Sequence, residues 1–236
     1  MIPIPNQDLL RSYIDQYSLD ALFESDMTSH MSLFYYPKGE LICEGSAKLH
    51  YMFFLVAGKL KTFTMLDNGK SLLLRFSRPL SVLGDLEFLS RFPVRCNVEA
   101  QMDSYLIGIK FDDLYQYAYN DPTFLRFLIN NLSFKLYTVS NSATLNQLYP
   151  LENRFASYLL SVSVYVCEAE NGESRVEEIK TPKLTEIAMM LGTSYRHLNR
   201  VIGQFRRDGI ISQKKGSLTV LDLSRLKILA KENIYE

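Results

Sequence analysis

Apolar side chains fall first at helical and then at strand spacing along the chain. Leu9, Leu10, Tyr13, Ile14 and Tyr17 recur at intervals of three and four, which predicts a short amphipathic helix at the start. Near Leu33 the period changes. Gly39, Gly45, Gly58, Gly69 and Gly84 separate short apolar runs such as Tyr51–Val56, Leu60–Met65 and Ser71–Phe76, rich in aromatic and aliphatic residues. Asp67-Asn68-Gly69 is a hairpin turn signal, because Asn and Gly tolerate the positive φ of a tight turn. Many short strands with regular turns predict an all-β sandwich or barrel over residues 33–110.

From Asp121 the pattern is helical again. Asp121-Pro122 reads as a cap followed by a proline at the first helical position, and a long helix runs from there towards Tyr149. Leu125, Ile129, Leu132, Leu136, Val139, Ala143 and Asn146 alternate spacings of four and three, the heptad pattern of a coiled-coil seam. A homodimer is expected from it; the other reading packs the same stripe on the chain's own β domain. Pro150 stops or kinks the helix, Glu152–Val166 resumes as a second helix, and Ala169–Glu178, with Asn171-Gly172, reads as a polar turn.

The last module carries the clearest functional pattern. Thr181-Pro182 is expected to open a short helix with Ile187, Ala188 and Leu191 on its apolar side, and Gly192 supplies the turn. Ser194 caps a second helix, whose buried stripe is Leu198, Val201, Ile202 and Phe205 and which Asp208-Gly209 ends. Its opposite face presents Tyr195, Arg196, Asn199 and Arg200. Arginine can grip guanine O6 and N7 with two hydrogen bonds, asparagine can do the same for adenine, and tyrosine can bond phosphate or pack on a base methyl. Ile210–Ser212 and Leu218–Val220 flank Lys214-Lys215-Gly216-Ser217 as two strands around a basic turn, a wing. Ser194, Arg206, Arg207, Lys214 and Lys215 are the expected phosphate contacts, giving affinity without reading sequence.

Composition sharpens this picture. The chain has 236 residues and 47% hydrophobic content, enough for two cores without metal or disulfide staples. Its net charge of zero hides an asymmetry: residues 181–236 carry 10 Lys and Arg against 5 Asp and Glu, while residues 1–180 carry 16 against 21. A basic module on an acidic body is an electrostatic footprint for a polyanion. The apolar runs are too short or too polar to span a membrane, and residues Met1–Arg11 lack the pattern of a secretory signal, so a cytoplasmic protein is expected. Cys43, Cys96 and Cys167 are scattered and odd in number, which fits reduced thiols. A Cys43–Cys96 redox switch stays open. An iron–sulfur sensor needs about four thiolates, and His30, His50 and His197 do not form a metal set, so no cofactor or metal is expected.

The run Leu184–Val201, continuing to Asp208-Gly209-Ile210-Ile211, resembles the DNA-binding motif of the Crp/Fnr regulators, and Ser194–Leu198 is most similar to the YeiL-type branch. Upstream, Gly58, Asn68-Gly69 and Gly84-Asp85-Leu86 are similar to the family's cyclic-nucleotide-binding-like domain, so the likeness covers nearly the whole chain. The resemblance implies an α+β fold: an N-terminal double-stranded β-helix (jelly roll) effector domain over 1–120, a dimerisation helix over 121–149 and a winged helix-turn-helix over 150–236. It also implies a palindromic double-stranded DNA operator, a small effector and contact with RNA polymerase. The dimer seam would be Leu125, Ile129, Leu132, Leu136, Val139 and Ala143. In cyclic-AMP-binding members a Gly-Glu-Leu run, an Arg-Ser pair and a Thr-Ser pair hold the nucleotide. Here the matching residues are Gly84-Asp85-Leu86, Arg95-Cys96 and Val139-Ser140, so an effector pocket of Gly84, Asp85, Leu86, Arg95, Cys96 and Ser140 is expected to take something other than cyclic AMP. The family commonly has Arg-Glu where this chain has Tyr195-Arg196, while Arg200 matches its last reading arginine, so an altered half-site is expected. Two other classes compete: a β-roll, cupin-like enzyme, which needs a histidine and carboxylate cluster, and a dimeric scaffold that has lost DNA contact.

Overall fold

A computed structural model describes residues 2–65, 71–162, 178–180, 183–214, 217–231 and 235. Asp67-Asn68-Gly69, Cys167, Asn171-Gly172, Thr181-Pro182 and Lys215-Gly216 lie outside them. The chain forms two compact units, residues 1–64 with 75–138 and residues 65–74 with 139–236.

Among the described residues nine strands precede Phe111: β1 Ile2–Pro3, β2 Ser32–Tyr36, β3 Leu41–Cys43, β4 Tyr51–Ala57, β5 Leu60–Met65, β6 Ser71–Ser77, β7 Ser81–Leu83, β8 Asn97–Ala100 and β9 Ser104–Lys110. They form two sheets, ordered β1-β2-β9-β4-β7 and β3-β8-β5-β6. Neighbours run antiparallel; Ile107 of β9 stands opposite Leu33 on one side and Phe54 on the other. This is the jelly roll. Strand β4 shows why its sequence is apolar without alternation. Phe53 and Leu55 point into the core between the sheets with Phe34, Leu60 and Leu106, whereas Met52, Phe54 and Val56 join the cluster on the outer face. Both faces are buried, so both parities must be hydrophobic.

That outer cluster is completed by α1 Gln7–Tyr17 through Leu10 and Ile14, by α3 Phe111–Tyr117 through Leu114, and by the start of α4 Pro122–Leu148 through Phe124 and Leu128. A further short helix, α2 Asp85–Ser90, follows β7. Helix α4 starts as the dipeptide predicts: Oδ1 of Asp121 accepts from the amides of Thr123 and Phe124 at 2.9 and 3.1 Å, and Pro122 needs no partner for a missing N–H.

The second unit is organised around α5 Leu151–Val162, of which eight residues are buried. It adds α6 Leu184–Met190, α7 Tyr195–Arg207, α8 Leu223–Ala230 and a three-stranded sheet in the order β10-β12-β11, from β10 Glu178–Lys180, β11 Ile211–Lys214 and β12 Ser217–Val220. Lys183 is extended, with ψ 135°, and the helix runs from Leu184, while Thr181-Pro182 lie outside the described residues. One expectation needs correction. Glu178, read as the end of a polar turn, instead begins β10, which pairs antiparallel with β12.

Candidate nucleic-acid interface

Helix α7 sorts its residues by period. Leu198, Val201, Ile202 and Phe205 are buried, with Phe205 against Phe155 of α5 at 5.6 Å between ring centroids. Tyr195, Arg196, Asn199 and Arg200 are exposed on the opposite face, and they lie on the first two turns. Ser194 is extended and its hydroxyl accepts from the amide of His197 at 3.2 Å, so the expected cap is in place. The side chain is also exposed, as are Arg206, Arg207 and Lys214, whereas Lys215 is outside the described residues.

The turn between α6 and α7 is held by backbone and by one arginine that the sequence pattern does not single out. Gly192 has φ +61°, the left-handed region where a Cβ costs about 1 kcal/mol or more. Its neighbour Thr193 donates its amide to Ala188 O at 2.9 Å. From α5, Arg154 Nη1 donates to Leu191 O at 2.5 Å, tying the turn to the core helix. Arg225 of α8 donates to Asp208 O at 2.8 Å and holds the other end of α7. The presenting helix is thus fixed at both ends, which is the preorganisation a groove-reading element needs. The sheet beside it places Lys214 opposite Ser217 at the end of the β11–β12 hairpin, with Ile211 opposite Val220.

The heptad stripe on α4 is largely uncovered in the isolated chain. Ile129, Leu136 and Val139 are 61%, 70% and 40% exposed, Ala143 is exposed, and Leu125 and Leu132 are half-buried. A different face of the helix, Phe124 and Leu128, packs on the chain's own outer cluster. Asn146, the last position of the stripe, accepts from the Tyr235 hydroxyl at 2.9 Å.

The expected pocket residues differ in burial. Leu86 is 49% exposed, and Arg95 and Ser140 are exposed. Gly84, at φ +90°, precedes α2; a Cβ there would meet Leu49 Cδ2 and Tyr51 O at 2.9 Å, so the position needs glycine. Asp85 is buried and its carboxylate receives Lys135 Nζ of α4 at 2.6 and 2.5 Å. Burial pushes the Lys135 ammonium down, and Asp85 opposes that. Two residues that the motif comparison missed join this cluster: Lys135 itself and Arg75 of β6, which is 7% exposed. Burial lowers the proton affinity of Arg75, while Asp85 and Cys96 act against it. Arg75 shares strand parity with the buried Leu73, a signal readable in the sequence. Cys43 and Cys96 are free thiols. Among the described residues no group of three or more His, Cys, Asp or Glu side chains could hold a metal ion. No helix among them is long and apolar enough to cross a membrane.

Two family models match the chain, a cyclic nucleotide-binding domain over residues 33–121 and a Crp-like helix-turn-helix domain over residues 153–229. The regulatory protein YeiL of Escherichia coli O157:H7 is 28% identical over 210 residues, covering 89% of this chain and 90% of that one. A CRP-like cAMP-activated global transcriptional regulator of Mycobacterium tuberculosis is 22% identical and covers 81% of this chain and 84% of its own. Among solved structures, a Crp/Fnr-family transcriptional regulator from Eubacterium rectale superposes with TM-score 0.73 at 19% identity, over 87% of this chain and 92% of that one. A CRP-family regulator from Thermus thermophilus gives 0.68 at 20% identity, over 86% and 98%.

Proposed function

This chain belongs to the Crp/Fnr family of DNA-binding transcription regulators, and from that premise we propose that it binds a palindromic operator as a homodimer under the control of its jelly roll. Residues 1–120 serve as effector domain, 121–149 as dimerisation helix and 150–236 as reader. Tyr195, Arg196, Asn199 and Arg200 read base edges in the major groove; Ser194, Arg206, Arg207, Lys214 and Lys215 hold phosphates. The observation that carries this reading is the outward face of α7, on which the four reading side chains are all exposed while the opposite stripe is buried.

The uncovered stripe of α4 supports the dimer, with Leu125, Ile129, Leu132, Leu136, Val139 and Ala143 as its seam. An effector would bias α4 between two packings and so set the spacing of the two reading helices, which must meet half-sites about 34 Å apart. The relative from Mycobacterium tuberculosis is named as cAMP-activated. In this chain the aspartate at the ribose-binding position is held by Lys135, and Arg95, at the phosphate-binding position, is exposed. Both features favour an effector other than cyclic AMP. Contact with RNA polymerase and a cytoplasmic location complete the reading, in keeping with the family.

Selection of bound sequences from a random duplex pool, followed by gel retardation, tests it. Arg196→Ala and Arg200→Ala should each lower affinity for the selected site by about 1–3 kcal/mol and relax preference at one base position. Unchanged retardation and unchanged preference in both variants would remove α7 as the reading element.

A further inference from the structure

The described interior of the jelly roll holds a guanidinium with no ion-pair partner. Arg75 lies on β6, 7% exposed, and no carboxylate among the described residues comes within salt-bridge distance of it. The carboxylate nearest in influence, Asp85, is taken on both oxygens by Lys135 Nζ. Two buried hydroxyls on the same and the adjoining strand are without hydrogen bonds: Ser77 Oγ, two residues on and of the same strand parity as Arg75, and Thr62 Oγ1 on the neighbouring strand β5. A buried charge is costly unless it is paired, and buried donors are normally satisfied. One buried guanidinium without an ion-pair partner, with two unsatisfied hydroxyls on the same and the adjoining strand, is a group to which an acceptor could be added.

We propose that this interior is a receptor for a compact anion of carboxylate or phosphate type, gripped by Arg75, flanked by Lys135 and bonded by Thr62 and Ser77. The planar fork of arginine matches two oxygens of either group. The ligand class proposed is small anions, which the buried Arg75 fork can hold by itself. A surface cleft of about 940 Å³, bordered by Lys48, His50, Arg91 and Lys110, includes Glu87, and Glu87 lies within the electrostatic reach of Asp85 and Lys135. The basic border would concentrate anions at its mouth. Because α4 carries Lys135, an anion competing with Asp85 for that ammonium acts on the helix that bears the dimer seam. The inference rests on reading the jelly roll as the effector domain.

The test uses the full chain, with inorganic phosphate and malonate as the two source arms and cyclic AMP as the bulky comparison, read by thermal unfolding and titration calorimetry. One of the two small anions should raise the unfolding midpoint with its concentration, and which one does so assigns the carboxylate or the phosphate class. Arg75→Met should weaken that binding about tenfold or more, Arg75→Lys should weaken it less, and Arg95→Ala should leave it unchanged. Without anion, Arg75→Met should unfold at or above the wild-type midpoint, since it removes an unpaired buried charge. The proposal is overturned if neither anion shifts the wild-type chain, if Arg75→Met binds as tightly, if Arg95→Ala instead abolishes binding, or if Arg75→Met without anion is destabilised or unfolded. Retardation of the pool-selected duplex, run on the same samples, reports separately on the DNA-binding reading.

Discussion

Cys43, on β3, and Cys96, just before the paired strand β8, have different surroundings. Burial, with the charge of Glu87 adding, pushes the Cys43 thiol up to about 12, and the half-buried Cys96 is also raised, first by burial. The thiolate is the reactive form, so at pH 8 the Cys43 thiolate fraction is on the order of 10⁻⁴. Peptide mapping after iodoacetamide treatment of the folded protein should find Cys96 modified well before Cys43; equal rates would show that the roll opens to solvent. Glu87 is a second residue displaced by its setting: burial, reinforced by Asp85, raises its pKa above the ordinary 4.5. A carboxyl raised on folding contributes stability that is complete below that ordinary value and is lost as pH climbs through the folded value. Glu87→Gln mimics the protonated form, so its unfolding midpoint should gain on wild type towards about pH 8 and show no gain below about pH 4.5. At this scale the sequence spoke unevenly. Tyr195, Arg196, Asn199 and Arg200 were legible because the buried Leu198, Val201, Ile202 and Phe205 fix the phase of a 3.6-residue period around them. The burial of Arg75 was legible from its strand parity with Leu73, but its grouping with Asp85 and Lys135 was not, because these residues come together through folding rather than through adjacency.

Among the elements, α4 has two separate faces, and only one of them is used inside the chain. Phe124 and Leu128 anchor it to the outer cluster, while Ile129 and Leu136 project a hydrophobic stripe into solvent. An exposed apolar stripe at heptad spacing is the signature of an unfilled coiled-coil seam. Ile129→Glu combined with Leu136→Glu should therefore convert the protein to a monomer at micromolar concentration in sedimentation velocity, with its far-ultraviolet spectrum retained. A wild-type chain that already sediments as a monomer would end the dimer reading. Helix α7 makes a smaller, local demand: Ser194→Ala removes the acceptor of the His197 amide and should cost about 1 kcal/mol in denaturant unfolding. Long elements were readable, since α4 repeats its pattern over several turns and opens with Asp121-Pro122. Helices α2 and α3, with six and seven residues, are too short for a period to emerge, and their packing on the roll decides them. Strand β10 is three residues long and owes its conformation to pairing with β12, information that no local window contains.

Across the whole molecule the charge is divided unequally, because residues 181–236 hold 10 of the 26 Lys and Arg in less than a quarter of the chain, with 5 of the 26 Asp and Glu. The acidic remainder disfavours approach of DNA to the roll, so the field of the protein orients the basic module towards a polyanion. Phosphate contacts release counterions, and the logarithm of affinity then falls linearly with the logarithm of salt concentration at about 0.9 per phosphate neutralised. If each protomer of a dimer engages Arg206, Arg207, Lys214 and Lys215, the slope should be about −7, and Arg207→Ala with Lys214→Ala should bring it to about half of that. The same double variant should leave the preferred sequence intact, since the role proposed for these side chains is to hold backbone, whereas Arg200→Ala should shift the preferred sequence and barely alter the slope. The two readouts thus separate the roles of neighbouring residues on one surface: fluorescence anisotropy across a salt series yields the slope, and selection from random duplexes yields the preference. A slope near that of two contacts in the wild-type protein would show that the hairpin and the last turn of α7 stand clear of the backbone, and that the reading face binds without them.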